Sequence, residues 1–349
     1  MRLRQMLSGL PVYRAGQRPA PRTDVTTYKL SSNETHVPPP EAVLAALPDS
    51  AVHLYPDPGS SELIAELADY TGVATDQVCV GCGSVSLCQN AVQIAADAGD
   101  EVVYAWRSFE AYPIVSAISG ARAVQVPLRF DMTHDVEAMV AAVGARTRVL
   151  FLCTPNNPTG PAITHAEVLW VLDNVGDDVL VVIDEAYHEY VTDPDAVRAL
   201  DIAATHPNVL VLRTFSKAFG LAGLRVGYGV GSPELVAAMR KVATPFGVSA
   251  IAQAAAVASL QPDGLRHMRD AVAASVEQRD WLAAGLRAKG YDVPDSQANF
   301  VWVTSADDLA GYLDGHGLTV RPFPGEGVRI SVGPRAANER VLEVLSARL

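Results

Sequence analysis

The sequence predicts an α/β protein: a mostly parallel, seven-stranded sheet with flanking helices, followed by a smaller α+β unit. Three observations predict it. From about residue 60, short Val-rich runs alternate with longer amphipathic stretches, most of them long enough for a crossover helix. The run 179–183, Val-Leu-Val-Val-Ile, is apolar on both sides, the pattern of a strand covered by helices on both faces. After Val230 the rhythm changes to helices and then to short strands.

The seven strands are expected at 77–80, 101–105, 123–127, 148–153, 179–184, 208–213 and 225–230. Helices follow at 233–242, 249–260 and 265–289, then strands at 299–303, 318–322 and 328–332 and a closing helix from Pro334. The chain of 349 residues, 49% hydrophobic and 19% charged, is long enough for about two domains with a sizeable core. We expect an N-terminal arm at 1–34 that packs with the small domain and over the site, a large domain at 35–247 and a small one at 248–349. Proline-rich patches at 19–21 and 38–40 read as linkers, and no internal repeat is present.

Composition narrows the function. With 27 basic and 39 acidic residues the net charge is −12, which argues against nucleic acid or an anionic membrane as a partner. Four cysteines are too few for a disulfide scaffold, and a reducing, cytoplasmic compartment is expected. Cys79 and Cys82 form a C-x-x-C without a second ligand pair, so a redox or zinc site is set against small buried hydrophobes at a strand end, and no metal is expected. Arg2, Arg4, Arg14, Arg18 and Arg22 precede any acid, as in transit peptides, but no signal-peptide core accompanies them. The uncharged stretch 242–262 holds Pro245, Gln253 and many Ala and Ser, which favours a packing helix over a membrane span.

Ligands in an open α/β sheet bind beyond the carboxyl ends of the strands. The first strand is followed by Gly81-Cys82-Gly83-Ser84-Val85-Ser86, glycines and then a helix start, which together suit a phosphate. As a dinucleotide fingerprint it is weak, because Ser86 replaces the third glycine, and a plain tight turn is the alternative. The fourth strand ends in Thr154-Pro155-Asn156-Asn157-Pro158-Thr159-Gly160, a rigid turn that can hold an amide at the sheet edge or be only a turn. The fifth delivers Asp184-Glu185-Ala186-Tyr187, whose first carboxylate needs a cation if buried or is otherwise a helix cap. Beyond the sixth lies Arg213-Thr214-Phe215-Ser216-Lys217-Ala218-Phe219-Gly220.

Of the four lysines, Lys29, Lys217, Lys241 and Lys289, only Lys217 is embedded among hydroxyls, glycines and aromatics at a strand end. Burial and nearby arginines would lower its pKa from about 10.4 and leave part of it neutral and nucleophilic. These pieces ask for a ligand with a phosphate for the glycine turn, Ser216 and Arg225, and a cationic ring nitrogen for Asp184. It also needs a phenolic oxygen for Asn157 and Tyr187, and an aldehyde for Lys217. Pyridoxal 5′-phosphate has all four.

On the motifs Thr154–Gly160, Asp184–Tyr187 and Ser216-Lys217-Ala218-Phe219-Gly220-Leu221-Ala222-Gly223-Leu224-Arg225, the chain resembles the fold-type I pyridoxal-phosphate aminotransferases, in the branch of histidinol-phosphate and aromatic amino-acid enzymes. The likeness runs from Leu30-Ser31-Ser32-Asn33-Glu34 through Tyr55-Pro56-Asp57 to Val328-Arg329-Ile330-Ser331-Val332-Gly333. The resemblance implies that Lys217 joins the cofactor aldehyde and then shuttles a proton between substrate Cα and the cofactor. It implies that Asp184 pairs with the ring nitrogen, that Asn157 and Tyr187 hold the phenolate oxygen, and that Phe109 stacks on the ring. Phosphate falls to Ser84, Val85, Thr214, Ser216 and Arg225, with Tyr55 reaching the neighbouring subunit of a homodimer with shared active sites. Arg329 grips the substrate carboxylate, with Asn157 beside it.

The partners are then a small amino acid and a 2-oxo acid. Val85-Ser86 and the Trp106–Glu110 segment look like the phenylalanine-type enzymes, so the expected reaction joins an aromatic amino acid to 2-oxoglutarate. Tyr13, Phe109 and Tyr112 are candidates for an apolar slot. Histidinol phosphate is the alternative; it would need a second basic cluster, for which Arg321, Arg329 and the N-terminal arginines are candidates. Two other classes stay open: a lyase, because similar sequences include a threonine-phosphate decarboxylase, and a regulator on the same fold, which adds a DNA-binding domain for which this chain has no room.

Overall fold

Two sheets organise the molecule, a seven-stranded one that carries the carboxyl-end loops and a four-stranded one that faces them. The computed structural model describes residues 1, 9–10, 12–13, 16–19, 22–47 and 53–348; Arg2, Arg4, Arg14 and part of the 19–21 proline patch lie outside the described residues. In chain order the strands are β1 Tyr28–Leu30, β2 Val78–Gly81, β3 Glu101–Trp106, β4 Arg122–Pro127, β5 Thr147–Cys153, β6 Leu180–Asp184, β7 Val209–Thr214, β8 Gly227–Gly231, β9 Phe300–Thr304, β10 Leu318–Phe323 and β11 Gly327–Ser331.

The large sheet has the order β2-β8-β7-β6-β5-β3-β4. All neighbours from β7 to β4 run parallel, while β8 is antiparallel to both β2 and β7. No crossover helix separates β7 from β8, so the chain can only return antiparallel. Strands β5 and β6 divide their side chains between two cores: Leu150, Leu152, Val181 and Ile183 on one face, Val149, Phe151, Leu180 and Val182 on the other. That two-sided burial is why these runs are apolar throughout, each such side chain being worth about 1.5–3 kcal/mol.

The small sheet has the order β1-β10-β11-β9, with β1 parallel to β10 and the rest antiparallel. Its own core includes Val301, Leu313, Val320, Ile330 and Val341. The helix Ala250–Leu260 buries Ala252, Ala255 and Ala256 in the first core, packed against the helices Glu41–Ala45, Ser61–Thr71 and Pro262–Ala288, so the uncharged 242–262 stretch contributes a packing helix. Helix Pro262–Ala288 spans both cores, giving Met268 and Val272 to one and Leu282, Ala283 and Leu286 to the other. Among the described residues no helix is long and apolar enough to cross a membrane.

Two elements differ from expectation. Strand β1 was not foreseen, because three residues carry no periodicity and the partner lies at the far end of the chain. Strand β8 begins at Gly227 rather than at Arg225, because Arg225 adopts a left-handed conformation (φ 57°) that turns it out of the sheet.

Candidate active site

The register brings β5, β6 and β7 to a common edge: Cys153 lies opposite Asp184, and Asp184 opposite Leu212. Gly227 lies opposite both Gly81 and Thr214. A Cβ on Gly227 would come within 2.6 Å of the Ser84 nitrogen, so only glycine lets the helix Ser84–Ala95 start this close to the strand ends. A cleft of about 230 Å³ opens there, lined by Ser84, Val85, Thr214, Ser216 and Arg225 at one end. No side chain caps the helix, and its first two residues, Ser84 and Val85, line the cleft, where a helix N-terminus suits an anion. Arg225 Nη1 donates to Ser216 Oγ at 3.2 Å, and Thr214 Oγ1 donates to the same oxygen at 3.0 Å. One guanidinium, two hydroxyls and a helix N-terminus make an anion cradle.

Lys217 lies deeper in the same cleft, and its Nζ donates to the Ser32 carbonyl at 3.0 Å. Burial, reinforced by the Arg329 and Arg225 cations and opposed by Glu34, pulls its pKa down to about 7. Asp184 is 3% exposed and has no cation. Its Oδ2 accepts from the Tyr112 hydroxyl at 2.8 Å and from the Cys88 thiol at 3.8 Å, while its Oδ1 is buried without a hydrogen-bond partner. Burial pushes this acid up to about 6, against the Tyr112 and Cys88 hydrogen bonds. A buried carboxylate oxygen left empty at the floor of a cleft fits a cationic N–H on a ligand.

Phe109 forms a wall, edge-on to Tyr112 with ring centroids 5.6 Å apart. Tyr187 and Asn157 line the same cleft. The Tyr187 hydroxyl accepts from Asn33 Nδ2 at 2.9 Å, and burial raises its pKa. Arg329 donates to Asn157 Oδ1 and, at 2.8 Å, to the Ser31 carbonyl, leaving its Nε buried without a partner.

Among the described residues, only Tyr13 of the remaining expected ones lines the cleft. Tyr112 does not enter an apolar slot: it is fully buried, stacked on Phe151 at 4.4 Å, and serves Asp184. Tyr13 lines the cleft beside Phe109. Arg321 lies outside the cleft lining and donates to Glu110 Oε2 at 2.6 Å. Tyr55 is also outside the cleft; it is 81% exposed and stacks on Phe246 at 4.4 Å. All four cysteines are free thiols, Cys79 buried and Cys82 exposed. Sequence reasoning missed Tyr112 and Cys88 as donors to Asp184, Asn33 as the donor to Tyr187, and Glu110. Asn33 and Glu110 carried a signal, since each lies in a segment on which the resemblance rests.

Phosphate, pyridinium nitrogen, phenolate oxygen and aldehyde thus each meet a matching group, so the residues present fit pyridoxal 5′-phosphate. The family described as Aminotransferase class I and II matches residues 25–345. An aromatic amino acid aminotransferase of Streptomyces avermitilis is 47% identical over 348 residues, covering 98% of this chain and 96% of its own length. The Streptomyces coelicolor protein of the same name is also 47% identical, with the same coverage. Among solved structures, the histidinol-phosphate aminotransferase of Sinorhizobium meliloti in complex with pyridoxal 5′-phosphate superposes with a TM-score of 0.86 at 28% identity, covering all of this chain and 98% of that one. With a matching family spanning both sheets and the cleft between them, the chain belongs to the class I and II aminotransferases.

Proposed function

We propose that this chain transfers the amino group of an aromatic amino acid, phenylalanine or tyrosine, to 2-oxoglutarate, with pyridoxal 5′-phosphate bound in the cleft. One observation carries the reading: the empty, buried Oδ1 of Asp184 shares a cleft with a lysine whose amine titrates near neutrality. When bound, the cofactor supplies an electron-withdrawing ring that stabilises negative charge on the substrate Cα.

The protein does the rest. Lys217 Nζ, its pKa drawn down to about 7 by burial, would hold the cofactor aldehyde and, when released from it, would hold or move the proton at the substrate Cα. Asp184 would hold a protonated ring nitrogen, and Tyr112 and Cys88, both on Oδ2, fix the carboxylate and leave Oδ1 open for it. Tyr187 Oη and Asn157 meet the phenolate side. The cradle of Ser84, Val85, Thr214, Ser216 and Arg225 anchors the phosphate. Arg329 holds the substrate α-carboxylate, for which its unpartnered Nε is a ready donor. Phe109 would stack on the ring, and Tyr13 lines the same cleft from the N-terminal side of the chain.

The names of the 47% identical relatives support an aromatic substrate. Comparing kcat/KM for phenylalanine and histidinol phosphate tests this, and a preference of about a hundredfold for the phosphate, some 2.7 kcal/mol, would overturn it. We further propose a homodimer in which the exposed Tyr55 reaches the phosphate of the neighbouring subunit. Mixing a Tyr55→Phe variant with a Lys217→Ala variant should give hybrids whose phosphate affinity differs from that of either parent. The four free thiols suit a reducing compartment, the cytoplasm.

A further inference from the structure

Arg321 and Arg329 are direct partners across β10 and β11, so their side chains stand next to each other on one face of the small sheet. Both are largely buried. Arg329 reaches Asn157, a residue of the cleft wall, and Arg321 reaches Glu110, which follows Phe109 of the same wall. Arg329 lies within electrostatic reach of Tyr13, Arg321 and Glu110 together. Among the described residues, Glu110 is the carboxylate paired with either guanidinium; the neighbouring Glu326 is taken by Arg107, whose guanidinium packs 4.5 Å from the Trp106 ring centre.

Among the described residues, the two guanidiniums share one internal carboxylate, that of Glu110. A substrate carboxylate on Arg329 brings the set to neutrality. A second anion, carried on the side chain, must either displace Glu110 from Arg321 or approach it as a like charge. A neutral aromatic side chain meets no such obstacle.

We propose that Glu110 is a specificity-determining residue: as the internal counter-ion of Arg321, it biases the outer end of the substrate cleft toward uncharged side chains and against anionic ones. The inference rests on the transamination reading above, because it takes Arg329 as the α-carboxylate site. 2-Oxoglutarate has to open the same pair, so Glu110 also sets the balance between the two half-reactions.

Binding of unreactive mimics tests this apart from turnover. Holoenzyme is titrated calorimetrically with 3-phenylpropanoate, a neutral side chain on a carboxylate, and with glutarate, an anionic one. Relative to wild type, Glu110→Gln and Glu110→Ala should each lower the ratio Kd(glutarate)/Kd(3-phenylpropanoate) by about fivefold, as expected for releasing a partly buried cation. A ratio within roughly twofold of wild type in both variants, or a rise, overturns the assignment. Wild-type holoenzyme that bound neither compound would instead overturn the reading of Arg329 as the carboxylate site, a failure distinct from that of Glu110.

Discussion

Asp184 and Glu185 are consecutive carboxylates, both almost fully buried, and they are treated in opposite ways. Glu185 Oε2 accepts from both Nε and Nη2 of buried Arg213, each at 2.8 Å. Asp184 meets only neutral groups, the Tyr112 hydroxyl and Cys88 thiol on Oδ2 and the Ala186 backbone, and its buried Oδ1 has no side-chain or cationic partner. The first is a closed ion pair that belongs to the fold, while the second is an open charge whose missing partner must come from a ligand. Burial alone therefore does not mark a functional acid; what marks it is burial together with an unmet valence.

The largest effect that would sharpen this contrast comes from the ligand side. Lys217→Ala should abolish visible cofactor absorbance and reduce turnover by about 10³-fold or more, measured by spectrum and single-turnover kinetics. Next, Arg213→Ala leaves Glu185 buried and unpaired and should destabilise the protein by about 3–5 kcal/mol in urea unfolding. Asp184→Asn should behave in reverse: cofactor-free protein keeps or gains stability, while activity falls roughly a hundredfold or more. Equal destabilisation by the two variants would break the comparison.

A pH titration separates the two acids further. The folded pKa of Asp184 is raised from 3.8 to about 6, so its stabilising contribution is full below pH 3.8 and is lost as pH rises through 6. Cofactor-free Asp184→Asn should therefore gain stability relative to wild type across that window, by on the order of 3 kcal/mol. Lys217 has the opposite sense: its pKa falls from 10.5 to about 7, so its contribution is full above 10.5 and is lost as pH falls through 7. The smallest effect is Tyr112→Phe, which removes one hydrogen bond to Asp184 and should cost about 1–3 kcal/mol, with weaker cofactor binding as its separate readout.

Much of this arrangement was legible in the sequence. The buried runs that became β5, β6 and β7 are apolar on both faces, and they place Cys153, Asp184 and Thr214 at one edge without further information. Lys217 was legible because Lys241 and Lys289 sit in polar stretches of predicted helices and Lys29 in the N-terminal segment. What the sequence hid is tertiary. Tyr112 looked like a pocket aromatic, and only the packing of its helix shows that its hydroxyl turns inward to Asp184. Strand β1 is too short to carry a pattern, yet it ties the segment holding Ser32 and Asn33 to the small sheet and so to the cleft. Arg321 read as a candidate for a second basic cluster, and only the fold shows that Glu110, from the Trp106–Glu110 segment, accepts from it.

The most direct test of the central claim is where the cofactor is attached. Holoprotein reduced with borohydride, digested and mapped by mass spectrometry should carry one phosphopyridoxyl group, on the peptide containing Lys217. Label on Lys29, Lys241 or Lys289 instead, or protein that takes up no cofactor at all, would contradict the account.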